Sequence, residues 1–171
     1  MTNLSVFAST LLTVVLVSAA WAKLRRPQRF RAALESYRVI PPALVSLLIT
    51  LVPTLELMFA ALQWIAPLQP FVGIAMAAMF AAFTLLLLRS VLRGVEADCG
   101  CFGGAARERV SWVSVVRNIV LVGLALATPF SGAAGSASAW LPAALTGLGG
   151  GAVIVLLDQA LGLISTSAGA S

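Results

Sequence analysis

The stretch LSVFASTLLTVVLVSAAWAKLRRPQR, residues 4–29, begins with an almost continuous apolar segment and ends in a cluster of positive charge. The apolar part, residues 4–22, is long enough to cross the ~30 Å hydrocarbon core of a bilayer as an α-helix. A cleaved signal peptide carries its positive charge before the apolar run, whereas here the basic residues follow it. The stretch therefore predicts a retained transmembrane helix with its N-terminus outside.

The rest of the chain has the same apolar character. Apolar residues make up 60% of the sequence and charged residues only 10%, which is outside the range of a soluble globular domain. Further spans are predicted at residues 43–66, 71–88, 112–130 and, in a glycine-rich segment that carries Asp158, 140–164. We expect residues 1–171 to form a single all-α integral membrane domain: a four-helix transmembrane bundle core, a fifth transmembrane helix and a short interfacial helix.

The 11 basic residues lie on one side of this predicted bundle. All but Arg117 fall between the first and second spans or between the third and fourth, and two crossings separate those loops. By the positive-inside rule this side is cytoplasmic, in a bacterial inner membrane. The positive charge therefore indicates contact with anionic lipid headgroups and not with nucleic acid.

The first basic loop contains an amphipathic segment, residues 28–38. Phe30, Ala33, Leu34 and Tyr37 recur at i, i+3, i+4 and i+7, and Pro27 precedes them at a position typical of a helix start. We expect a short helix in the membrane interface. It could serve as an anchor, or as a lid over the cysteine segment on the same face.

Both cysteines of the chain lie in EADCGCFGG, residues 96–104, with Gly100 between them. They could form a redox pair, supply half of a metal site or be ordinary small residues. The chain has no histidine, so a zinc site would need carboxylates or the thiolates of a second chain. A disulfide across one residue closes a very small ring and would be labile or catalytic. Residues 96–105 are therefore predicted to form a redox loop.

Charges near the two thiols favour a nucleophilic cysteine. Arg93 and the start of the fourth helix stabilise a thiolate, whereas Asp98 disfavours it. Asp98 could take or give a proton, or simply cap the turn. Gly100 and Gly103 supply the backbone freedom that a tight turn requires.

Glu56 is the acid in the middle of the second predicted span, just after Pro53. A carboxylate inside a membrane is a functional-site hypothesis that requires a partner. Arg117 is the candidate partner, although Glu56 lies roughly 10 Å deeper if both helices are straight. The alternative is a protonated Glu56 that bonds a backbone carbonyl freed by Pro53.

Four motifs in order resemble one known family: SAAWAKLRRPQRFRAALESYRVIPP, VPTLELM, RGVEADCGCFGG and SWVSVVRN, between about residues 15 and 125. They are similar to the methylamine utilisation protein MauE family, redox-associated membrane proteins grouped with DoxX. The resemblance implies a four-helix core in which Cys99 and Cys101 form the redox pair. The other positions that match the family pattern are Lys23, Tyr37, Pro42, Glu56, Arg93, Gly94, Asp98, Phe102, Gly103, Trp112, Arg117 and Asn118.

The resemblance also implies a function. MauE is associated with formation or correct placement of disulfides in the small subunit of methylamine dehydrogenase, alongside a thioredoxin-like partner. The resemblance therefore implies a membrane thiol-disulfide oxidoreductase, or redox maturation factor, that exchanges electrons through Cys99 and Cys101 with a thioredoxin-like partner and could support disulfide formation in a periplasmic enzyme. Charge counting nevertheless places these cysteines on the cytoplasmic face.

Several points stay open at this stage. Electrons could pass to the partner or to a quinone in the bilayer, and no residue pattern decides between them. No haem is expected, because the chain lacks histidine. Two rival functions are a non-catalytic assembly protein whose CGC loop docks a partner or binds metal, and a small transporter centred on Glu56.

Overall fold

The computed structural model describes residues 3–37, 40–93, 112–128 and 140–167. Within these ranges the chain is helical and contains no strand, which confirms the predicted all-α class. A 3₁₀ turn at Ala66–Leu68 separates the third and fourth helices. The helices are α1 (Asn3–Arg25), α2 (Pro27–Ser36), α3 (Pro42–Leu62), α4 (Gln69–Leu92), α5 (Trp112–Ala127) and α6 (Trp140–Ser167).

Three of the described helices are long and apolar enough to cross a membrane: Val6–Arg25 in α1, Pro42–Leu62 and Gln69–Leu92. The described apolar parts of α5 and α6 are shorter, Ser114–Ala127 and Ala144–Leu156. The structure is therefore consistent with a membrane protein, while the four-helix core and the fifth crossing stay predictions. Helix α3 ends at Leu62, within the second predicted span at residues 43–66.

Helix α1 lies at the centre of the bundle. Its side chains Leu12 and Leu16 are fully buried and pack in one cluster with residues of α3, α4 and α5. Those helices contribute Phe59, Met76 and Leu121 respectively. Burial of this stripe provides the main apolar stabilisation of the described helices.

Helix α6 packs along α1 in the same direction. Gly147 lies against Phe7 and Thr10, and Gly151, one turn later, lies against Val14. A Cβ on Gly147 would come within 2.7 Å of the Phe7 carbonyl oxygen, so the backbones approach as closely as small residues allow. If the four preceding spans cross the membrane in alternating directions, a fifth span crosses in the same direction as the first. The parallel packing of α6 and α1 agrees with that order.

Helix α2 turns away from α1 at Arg26 and packs beside the first half of α3. Its predicted apolar stripe is confirmed, since Phe30, Ala33 and Leu34 are buried. Phe30 and Leu34 pack with Val45 and Val52 of α3. The end of α1 consequently lies beside the middle of α3 and not beside its start.

Candidate functional site

A buried ion pair joins α1 to α3. The Lys23 ammonium donates a hydrogen bond of 2.6 Å to Oε1 of Glu56, and the two side chains are only 3% and 5% exposed. A buried charge is costly unless it is paired and hydrogen-bonded, and each residue here supplies the other's counter-charge. The pair is therefore a polar site within the apolar core.

Both residues are buried because each continues the apolar stripe of its own helix. On α1, Leu12, Leu16 and Ala19 are buried at four-, three- and four-residue steps that lead to Lys23. On α3, the buried stripe that contains Glu56 is Val52, Glu56, Phe59, Ala60 and Gln63. Helix periodicity alone thus directs one cation and one anion into the same core.

Aromatic rings surround the ammonium on its other sides. Lys23 Nζ lies 5.5 Å from the centroid of the Phe30 ring and 6.0 Å from that of Phe83. Cation–π attraction at such distances stabilises a desolvated ammonium. Among the described residues, Glu56 Oε2 is buried and has no hydrogen-bond partner. The Lys23 hydrogen bond therefore engages only one of the two carboxylate oxygens of Glu56.

The expected partner of Glu56 was wrong. The structure pairs Glu56 with Lys23 and not with Arg117, and the carboxylate does not bond a carbonyl freed by Pro53. A residue count along straight helices gives the relative depth of two side chains only if all helices begin at one level. Because α2 runs beside the first half of α3, Lys23 at the end of α1 reaches the level of Glu56.

A second polar contact in the core was missed from the sequence. Gln63 is 1% exposed, and its Nε2 donates a hydrogen bond of 2.7 Å to Thr13 Oγ1 in the middle of α1. Trp64 Nε1 donates to the same hydroxyl at 3.2 Å. The position of Gln63 on the buried stripe of Glu56 is the signal that could have identified it.

The other predicted site residues are dispersed over the described structure. Tyr37 is buried at the end of α2, and Asn118 is buried on α5 with its amide donating to the Ser114 carbonyl at 3.0 Å. Trp112 and Arg93 are exposed, and Arg117 is half-buried. The structure thus brings Lys23 and Glu56 into direct contact and distributes the others over the ends of α2 and α4 and over α5.

The predicted redox residues lie outside the described ranges: Cys99, Cys101, Asp98, Gly100, Phe102, Gly103 and Gly94. Their segment joins α4, which ends at Leu92, to α5, which begins at Trp112. Those two helix ends pack together through Leu87 and Val115. In the described ranges, no three Cys, Asp or Glu side chains cluster as metal ligands would.

An apolar groove of about 390 Å³ lies between α3 and α4. Its α3 wall includes Leu48 and Leu55, and its α4 wall includes Met79 and Phe83. Phe83 is the residue whose other contact is the Lys23 ammonium. The groove and the ion pair therefore share a wall.

Comparison with known proteins places the chain in a family. The sequence model of the family described as Methylamine utilisation protein MauE matches residues 1–131. Proteins called Methylamine utilization protein MauE from Paracoccus denitrificans and Paracoccus versutus are 34% and 32% identical, over 90% and 85% of this chain and 82% and 78% of theirs. The protein of that name from Methylophilus methylotrophus is 31% identical over 72% of this chain and 66% of its own. No solved structure matches significantly. Because these matches extend over most of the sequence, the chain belongs to the MauE family.

Proposed function

We propose that this protein is a membrane thiol-disulfide oxidoreductase, or a redox maturation factor, that works through Cys99 and Cys101. The observation that carries the proposal is the CGC motif itself, in a chain of the MauE family. Thiolate attack on a disulfide of a thioredoxin-like partner forms a mixed disulfide, which the second cysteine resolves. The partner leaves reduced, and Cys99 and Cys101 are left as a disulfide.

Two features of the described helices support this assignment. The packed ends of α4 and α5 hold both ends of the cysteine segment at one end of the bundle, because Leu87 and Val115 lie in one cluster. Arg93 ends the described part of α4 next to that segment. A nearby cation lowers the pKa of a thiol and so favours the attacking thiolate.

The relatives' names connect the proposed activity to methylamine utilisation. We propose that the client is a periplasmic disulfide-containing enzyme such as methylamine dehydrogenase, and that the protein resides in the bacterial inner membrane. The one-sided arginines favour a topology with the N-terminus outside and the CGC segment on the cytoplasmic face. On this topology, electrons cross the bilayer between the cysteines and the client.

The test is to trap the redox state of the two cysteines in cells. Intact cells and then lysed, reduced membranes are labelled with a membrane-impermeant maleimide, and the mass shift counts free thiols. We expect a population that labels only after reduction and lysis. Cys101→Ser should accumulate a mixed disulfide with a thioredoxin-like protein, whereas Cys99→Ser/Cys101→Ser should not.

Other outcomes would overturn the proposal in distinguishable ways. Thiols that never oxidise, together with a cysteine-free variant that still supports client assembly, would favour the non-catalytic assembly role or a metal site between two chains. If Glu56→Gln abolished function while the cysteines were dispensable, a transporter centred on Glu56 would be favoured. Labelling in intact cells would reverse the topology.

A further inference from the structure

The groove between α3 and α4 is lined by hydrocarbon side chains alone. Its volume of about 390 Å³ is bounded by residues that include Leu48 and Leu55 on α3 and Met79, Phe83 and Leu86 on α4. Both helices are long and apolar enough to span a membrane. Water is not expected in an apolar space of this kind, because it finds no hydrogen-bonding partners there. The groove therefore fits a hydrocarbon chain.

The groove extends toward the end of the bundle at which α3 begins and α4 ends. Leu34 of α2 and Ile40, which lies just before the start of α3, contribute to its lining. The short 3₁₀ turn between α3 and α4 makes these two helices a hairpin, so the start of α3 lies at the same end as the last turn of α4. This is also the end to which the basic stretch after α1 belongs.

The stripe of α4 that lines the groove continues into two arginines. Leu86 is followed on the same helix face by Arg89, three residues later, and by Arg93, seven residues later. At 1.5 Å per residue, Arg89 lies about 4.5 Å and Arg93 about 10 Å beyond Leu86 along the helix axis. Both arginines are exposed. The hydrocarbon groove therefore ends at positive charge.

In the described part of the chain, no carboxylate neutralises these two arginines. The acids whose side chains are described are Glu35 and Glu56, and they pair with Arg31 and Lys23 respectively. The arginines at the end of α4 belong to neither ion pair. They can therefore bind an anion from outside the described chain, and a guanidinium group matches the geometry of phosphate oxygens well.

We propose that the groove and the end of α4 bind one anionic phospholipid, with an acyl chain between α3 and α4 and the phosphate beside Arg89. Arg93 adds positive potential one turn further on. Basic sites between transmembrane helices on the cytoplasmic side are a known mode of anionic-lipid recognition. The inference goes beyond the proposed redox function and does not depend on it, because the site consists of described residues and includes neither cysteine.

The experiment is native mass spectrometry of the full-length protein released from detergent micelles. The protein is titrated with phosphatidylglycerol, which is anionic, or with phosphatidylcholine, which has no net charge, both with the same acyl chains. We expect the wild type to bind the first phosphatidylglycerol at least about tenfold more tightly than the first phosphatidylcholine, since two basic side chains lie at the mouth of the groove.

One pair of variants tests the headgroup contact. Arg89→Gln should weaken phosphatidylglycerol binding about fivefold, because one basic side chain beside an anionic lipid contributes roughly that factor, and should leave phosphatidylcholine binding unchanged. The matched control is Arg25→Gln, which removes the same charge from an exposed position at the end of α1, a helix that contributes no lining residue to the groove. We expect it to change binding less than about twofold.

A second pair of variants tests the position of the acyl chain. In Ala82→Trp a large ring fills the groove, whereas in Leu85→Trp the same ring is placed on a 66% exposed position outside the lining. We expect the first change to weaken binding of both lipids about tenfold and the second to weaken it less than about twofold. Both positions are exposed, as are Arg25 and Arg89, so none of the four changes alters the buried core.

Four results would overturn the inference. Equal affinity of the wild type for the two lipids would mean that the headgroup is not recognised. Equal effects of Arg25→Gln and Arg89→Gln would mean that general surface charge attracts the lipid. Unchanged phosphatidylglycerol binding by Ala82→Trp would mean that no acyl chain occupies the groove. Competition by glycerol phosphate that is as effective, mole for mole, as phosphatidylglycerol would identify a phosphate site that needs no lipid.

Discussion

Removing one partner of the buried ion pair should destabilise the protein far more than removing both. Lys23→Met leaves the Glu56 carboxylate buried with no counter-ion, since Lys23 is its hydrogen-bond partner at 2.6 Å and both side chains are 5% exposed or less. Breaking a buried pair in this way costs about 3–5 kcal/mol. Glu56→Leu alone should cost a similar amount, although Phe30 and Phe83 continue to stabilise the ammonium.

The double variant Lys23→Met/Glu56→Leu removes both charges and keeps most of the buried volume. Replacing a whole buried pair by apolar residues is often neutral or stabilising. The structure offers a matched control in Arg31 and Glu35, an exposed i,i+4 pair at 3.0 Å whose side chains are 51% and 55% exposed. Breaking that pair should cost only about 0.3–0.5 kcal/mol.

The measurement is a double-mutant cycle of the free energy of unfolding in detergent micelles, with unfolding monitored by circular dichroism. We expect a coupling energy of about 3 kcal/mol or more for Lys23 and Glu56, and less than about 0.5 kcal/mol for Arg31 and Glu35. Additive effects of the two buried changes would refute the assignment of the pair. A double variant as unstable as either single one would show that the charges are needed for folding itself.

Two other predictions concern helix packing. Gly147→Leu should destabilise the protein by about 1–3 kcal/mol and lower its thermal midpoint in detergent, because a Cβ at this position would lie 2.7 Å from the Phe7 carbonyl oxygen. The control is Gly149→Leu, which should be tolerated because nothing lies within 4 Å of a Cβ there. Equal effects of the two changes would contradict the α1–α6 packing. Thr13→Val should lower the free energy of unfolding by about 1–2 kcal/mol, because it removes the hydroxyl that accepts hydrogen bonds from Gln63 and Trp64. The control is Thr54→Val, which should be near neutral because the exposed Thr54 hydroxyl donates to a carbonyl of its own helix. Unfolding measurements that rank the two changes the other way would contradict the Gln63 contact.

Most of the helices were predictable because hydropathy and periodicity are local properties. The apolar runs located α1, α3 and α4 to within a turn, and the i, i+3, i+4, i+7 repeat identified the buried face of α2. The same periodicity contains the signal for Lys23, since it lies on the stripe of Leu12 and Leu16. That signal was obscured by the arginines that follow Lys23 in the same basic stretch.

The partner of Glu56 and the groove were not predictable from the sequence. Both depend on how far one helix is displaced along another, and the sequence of a single helix does not contain that information. Because α2 takes up the first half of α3, the end of α1 moves to the level of Glu56. Similarly, the groove exists only because α3 and α4 lie apart beyond their 3₁₀ turn.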